Sequence, residues 1–174
     1  MSYDDNCQNC PYCRQDHLVG TEHFSERENP PITLEDNSST VLLVFQSPGD
    51  KEWLVGKAIQ PTKKQGGTAG VRIQNSWGRK NKSRTDFDIV NAVQCFPGNE
   101  GDRDFDPNVM AICSCANRLR GILESKEYEE IIAFGEVAKQ VVECLVKKLN
   151  FTPKFVPATH PNGGVKNADL DALW

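Results

Sequence analysis

Apolar residues in this chain collect in short runs that stop abruptly at polar or glycine-bearing turns. Val41-Leu42-Leu43-Val44-Phe45 is unbroken and without alternation, the pattern of a strand buried on both faces of a parallel sheet, and it ends in Gln46-Ser47-Pro48-Gly49. Asp86 to Cys95 reads as a second core strand ending near Asn91 to Cys95, with Phe96-Pro97-Gly98 as its breaker. Ile131-Ile132-Ala133-Phe134 is a third, closed by Gly135, and Phe155-Val156-Pro157-Ala158-Thr159 a fourth that delivers His160-Pro161-Asn162-Gly163-Gly164. Elsewhere the period changes. After Pro107, the residues Ile112, Cys115, Leu119, Ile122 and Leu123 recur at helical intervals, with proline in the first turn as helices prefer. Glu136 to Leu149 repeats that period through Val137, Val141, Cys144, Leu145 and Leu149, which predicts a core position for Cys144. Residues 15–40 show no strong period and read as a connector, while 51–77 is glycine-rich and basic with only a weak helical signal around Trp53 to Ile59.

Four short strands, each followed by a turn or helix, make a three-layer α/β/α sandwich with a short, mainly parallel four-stranded central sheet the economical architecture. In such a sheet the ligand binds beyond the carboxyl ends of the strands. Gln46 to Glu52, Asn91 and His160 all fall at such ends, so one crevice can hold them. With 174 residues, 38% of them hydrophobic, the chain suits a single domain over 1–174. Its first 40 residues contain no apolar run of signal-peptide length, and nothing later approaches the ~18 apolar residues of a membrane span. A soluble, cytoplasmic monomer with no membrane contact is expected.

The net charge of −4 hides a segregated distribution. From Trp53 to Thr85 there is no Asp or Glu, and Lys57, Lys63, Lys64, Arg72, Arg79, Lys80, Lys82 and Arg84 give that window +8. A basic segment beside a candidate crevice is the footprint of a polyanion contact; a flexible, solvated loop is the other reading. Seven cysteines without a secretion signal point to metal binding, catalysis or burial rather than disulfides. Residues 1–14 form a Cys-rich segment in which Cys7, Cys10 and Cys13 make two overlapping C-x-x-C units, a spacing that brings sulfurs onto one ion or cluster.

Together these features resemble the uracil-DNA glycosylase superfamily, most closely its iron–sulfur branch, the family 4 type, over residues 7 to 162. Phe45-Gln46-Ser47-Pro48-Gly49-Asp50-Lys51-Glu52 with Gly56 is similar to the family's Gly-Glu-Ala-Pro-Gly motif and its acidic and glycine follow-on. Ile89 to Pro97 resembles the strand that ends in Asn-x-x-Lys-Cys-x-Pro, Ile131 to Gly135 with Ala138 the Ile-x-x-Leu-Gly-x-x-Ala element, and His160-Pro161-Asn162 the His-Pro-Ser motif. The resemblance implies a DNA partner and excision of uracil or a related modified base. It implies that His160 stabilises the departing base, that Asn91 reads its edge, and that Ser47, Gly49, Ile59 and Asn162 border it. Lys63, Lys64, Arg72 and Lys80 would then grip the DNA backbone. A [4Fe–4S] cluster on Cys7, Cys10, Cys95 and a fourth cysteine is also implied. That fourth ligand is Cys115, with Cys113 as the alternative, because Leu119 follows Cys115 at the family's four-residue interval. Zinc is the competing metal, since sulfur ligands alone do not separate the two.

Departures from the pattern fall on the site itself. Gln46 stands where the family has a catalytic Glu, Ile59 where an aromatic side chain stacks on the base, and Asn162 where the motif has Ser. Water positioning then passes to Asp50 or Glu52, or Gln46 orients water by hydrogen bonding alone. A catalytically silent relative that binds DNA or a flipped base is the alternative function, and a metal-clamped structural partner in a larger complex a third.

Overall fold

The computed structural model describes residues 7–21, 24, 29–60 and 68–174. Each unbroken apolar run is a strand: β1 (Val41–Phe45), β2 (Asp88–Asn91), β5 (Glu130–Phe134) and β6 (Lys154–Ala158). They form one sheet in the order β2-β1-β5-β6 with every pair parallel. The absence of polar alternation in β1 and β5 follows from burial on both faces, whereas β6, at the edge of the sheet, is buried at Ala158 alone. Leu43, Phe45, Ile89, Ile132 and Phe134 point into one apolar layer, and Leu42, Val44, Val90, Ile131 and Ala133 into the other. A two-stranded hairpin, β3 (Asn99–Glu100) with β4 (Arg103–Asp104), stands apart from the sheet.

Helices cover both faces, giving a three-layer α/β/α sandwich. On one side lie α3 (Val109–Ser125), capped by the Asn108 side chain on the Met110 amide, and α4 (Glu136–Val146), which starts from Gly135. Leu119, Leu123, Ala138, Val142 and Leu145 fill that layer. On the other lie α1 (Asp50–Val55), α2 (Ala69–Arg79) and α5 (Asn167–Asp171). α1 carries Asp50 and Glu52 in its first turn, where the helix dipole favours them, and stops at Gly56 in the left-handed conformation (φ 72°).

Two expectations are corrected. The stretch read as a basic loop contains α2 in its second half: Thr68 caps the helix by accepting from the Val71 amide, and Ile73 and Trp77, four apart, are buried. Cys144 is exposed, not core. The buried face of α4 runs through Ala138, Val141, Val142 and Leu145, and position 144 lies roughly 100° around the helix from Leu145.

The connector before β1 covers the open edge of β2. Glu35 and Ile89 exchange both backbone bonds (2.9 and 3.0 Å), and the Ile32 amide donates to the Gln94 carbonyl (2.7 Å), leaving that edge no template for another chain. At the amino end of β2, buried Asp88 accepts from the Asn37 and Ser39 amides, the Lys126 ammonium (2.7 Å) and the Tyr128 hydroxyl (2.9 Å). Among the described residues, no helix is long and apolar enough to cross a membrane.

Candidate active site

Strand register sets the candidate residues in a row along the carboxyl edge of the sheet. Asn91 is the last residue of β2 and pairs with Phe45 on β1. Just beyond, the Ala92 and Val93 amides donate to the Phe45 and Gln46 carbonyls (2.7 and 2.9 Å). Across the sheet, the Gly135 amide donates to the Ala158 carbonyl (3.0 Å), which brings the end of β5 beside the loop that carries His160. Gly135 has φ +86°, a conformation strained for any side chain, and a Cβ there would lie 3.5 Å from His160 Cβ and 3.7 Å from Gln46 Oε1. Gln46 and His160 therefore face one another across a glycine.

Each side chain in the row has a definite hydrogen-bonding state. Asn91 is 1% exposed, and its Nδ2 has no partner among the described residues. A buried amide donor left unpaired costs about 1–3 kcal/mol, so it is an unspent donor at a strand end. Burial lowers the pKa of His160, which keeps the imidazole neutral near pH 7. Its Nδ1 accepts from the Asn162 amide (3.3 Å), which leaves the proton on Nε2 as a donor. Asn162 thus contributes through its backbone.

The acidic residues differ in how far they are committed. Asp50 accepts from the Lys51 amide (2.8 Å) and pairs with the Lys51 ammonium (3.2 Å). Glu52 Oε1 accepts from the Gln60 amide (3.0 Å), while its Oε2 lies 2.9 Å from where a Gly49 Cβ would sit, with Asp104 Oδ2 3.1 Å from the same point. A side chain at Gly49 would therefore push the Glu52 and Asp104 carboxylates aside. Gln46 Nε2 donates to Asp106 Oδ1 (3.5 Å). Asp104 and Asp106 escaped the sequence reading, although Asp104-Phe105-Asp106 immediately ahead of the helix-opening Pro107 was the available signal. Ser47 is partly buried. Ile59 is buried in the layer that holds Phe45 and Trp53, at φ 50°, an outlying conformation for a β-branched residue.

The arginines of the basic window are engaged by acceptors of the protein itself, Arg72 and Arg84 partly buried and Arg79 exposed. Arg72 donates to the carbonyls of Pro161 and Val165 and to Asn167 Oδ1, which fastens the His160 loop onto α2. Arg79 forks onto Asp171 (2.8 and 2.7 Å); with Ser76, it holds that carboxyl down to about 2. Arg84 forks onto Glu35 (2.8 Å twice) and donates to the Ala58 and Ile59 carbonyls, clamping the strained turn at Ile59. Lys57, Lys80 and Lys82 are exposed. Lys63 and Lys64 lie outside the described residues.

Cys7, Cys10, Cys95 and Cys115 are buried, Cys13 partly so, and Cys113 is exposed on α3. Burial pushes the Cys95 thiol up, and the nearby sulfurs of Cys115, Cys10 and Cys7 push the same way, so these cysteines share one neighbourhood. Arg118 bridges Cys7 Sγ (3.1 Å) and Gln94 Oε1 (2.9 Å). An all-thiol set of this kind suits an iron–sulfur cluster in its chemistry. As the side chains stand, no group of three or more His, Cys, Asp or Glu among the described residues is arranged to hold a metal ion. No protein-family model matches the chain, and no curated protein shows significant similarity to it.

Proposed function

We propose that the chain is a DNA glycosylase that hydrolyses the N-glycosidic bond of uracil or a related modified base. The observation that carries this reading is the buried, unpaired Asn91 amide standing in one row with the neutral Nε2–H donor of His160. Breaking an N-glycosidic bond leaves negative charge on the base and positive charge on the sugar. Donors fixed in a partly buried site and aimed at the base oxygens stabilise that separation without reorganising. His160 supplies the donor toward the base oxygen that gains charge, and Asn91 gains its missing partner from the base edge. A base must leave the stack to reach them.

Cys7, Cys10, Cys95 and Cys115 would hold a [4Fe–4S] cluster, with zinc as the competing metal. Such a group would supply a covalent tie between the amino-terminal segment, the loop after β2 and α3. Partnership with DNA in the cytoplasm belongs to the same reading.

The test is incubation of the full chain with oligonucleotides carrying uracil and other modified bases, in single strands, matched duplexes and mismatches. Abasic sites should accumulate on at least one substrate, and His160→Ala should lower the single-turnover rate about 10²–10³-fold while leaving DNA affinity unchanged. No excision across the panel would overturn the reading. DNA binding without excision is the outcome expected of the silent relative, a second reading favoured by the amide at Gln46 and the burial of Ile59.

A further inference from the structure

Hydrolysis needs a water at the sugar carbon and a group to take its proton, and an amide at position 46 cannot accept one. The nearby carboxylates are not equivalent. Asp50 is held by its own helix start and Lys51, and Glu52 by the Gln60 amide against Gly49. Asp106 is exposed, and its hydrogen bond among the described residues is the one it accepts from Gln46 Nε2 (3.5 Å). Its backbone is pinned on both sides: the Phe105 amide donates to the Gly98 carbonyl (2.9 Å), and the Asn108 amide to the Tyr12 hydroxyl (2.7 Å). A carboxylate on a fixed backbone, open to solvent and hydrogen-bonded by one amide, is able to take a proton from a water beside it.

We infer that Asp106 is the catalytic base of this site and that Gln46 is its positioning residue. The inference rests on the glycosylase reading above. Water held by Asp106 attacks the sugar C1′: a C1′–O bond forms from the water lone pair, and the C1′–N bond breaks with its electron pair leaving on the base. The water proton passes to the Asp106 carboxylate and from there to solvent, while the departing base anion, hydrogen-bonded by His160 Nε2–H, takes a proton from solvent on release. Gln46 donates through Nε2 to orient the carboxylate, and its Oε1 faces Gly135 on the His160 side. An acid at position 46 would set two like charges against each other, which accounts for the amide there.

The experiment is single-turnover excision by the full chain on the best substrate, beside affinity for an oligonucleotide carrying a non-hydrolysable 2′-fluoro analogue and the melting temperature of each variant. Asp106→Asn and Asp106→Ala should each slow excision about 10²–10⁴-fold, with affinity and melting temperature unchanged. Combining Gln46→Glu with Asp106→Asn restores one acid and one amide, and should recover at least about tenfold over Asp106→Asn alone. An Asp106→Asn variant as fast as the wild type, or a double variant no faster than Asp106→Asn, overturns the role of Asp106 and leaves the glycosylase reading intact. A wild type that excises no base overturns both.

Discussion

Asp88 is a carboxylate removed from solvent at the start of β2, and its oxygens are both used. Burial pushes its pKa up, but the Lys126 ammonium, the Ser39 and Asn37 amides and the Tyr128 hydroxyl outweigh that and hold it below the ordinary 3.8. Because the folded value lies below the unfolded one, the contribution to stability is complete above pH 3.8 and is lost as the pH falls through the folded value. Asp88→Asn should therefore lower the unfolding free energy at neutral pH by about 2–3 kcal/mol and flatten its fall in acid, as measured by urea titration across pH. Single residues were legible where chain order alone exposed them. Asn91 and His160 stand out because a polar residue ends an apolar run. Lys126 and Tyr128 were not legible as partners of Asp88, for they lie 38 and 40 residues away. Nor was Asp106, which meets Gln46 across 60 residues.

Among elements, β1 and β5 were readable because burial on both faces leaves a short continuous apolar run that stops at a turn, and β6, though half-exposed, because its run of Phe155 and Val156 ends at His160-Pro161. α2 was not, because glycines at 66, 67 and 70 suggested a loop and its apolar face is short. What the basic residues of that helix do depends on α5 and the His160 loop, which no local pattern announces. Arg72 joins the two by donating to the Pro161 and Val165 carbonyls of the loop and to Asn167 Oδ1 at the start of α5 (3.4 Å). Arg72→Ala should loosen the loop and lower the single-turnover rate about tenfold with little change in DNA affinity. Arg72→Lys should restore little of that rate, since an ammonium cannot reproduce the planar fork. Comparison of rate and affinity separates this positioning role from a contact to phosphate, which would move affinity first.

For the whole molecule, the sheet, its two apolar layers and the helices that cover them follow from the pattern of the chain, whereas the docking of the amino-terminal segment does not. That segment is tied down by His17 Nε2 on the Phe96 carbonyl (2.8 Å), Tyr12 on Asn108 and Arg118 on Cys7. A cluster on its cysteines would reinforce the same joint. Anaerobic reconstitution with iron and sulfide should give broad visible absorbance, which zinc lacks, and raise Tm by about 5–10 °C. Cys115→Ser should abolish both effects, and Cys113→Ser neither. The parallel sheet has one further consequence. Asp88 and Asn91 are the first and last residues of a single four-residue strand, about 10 Å apart, yet one belongs to a stabilising lock and the other to the proposed chemistry. The lock and the proposed chemistry thus sit at opposite poles, so reinforcement around Asp88 and Lys126 for thermal tolerance leaves the other rim untouched.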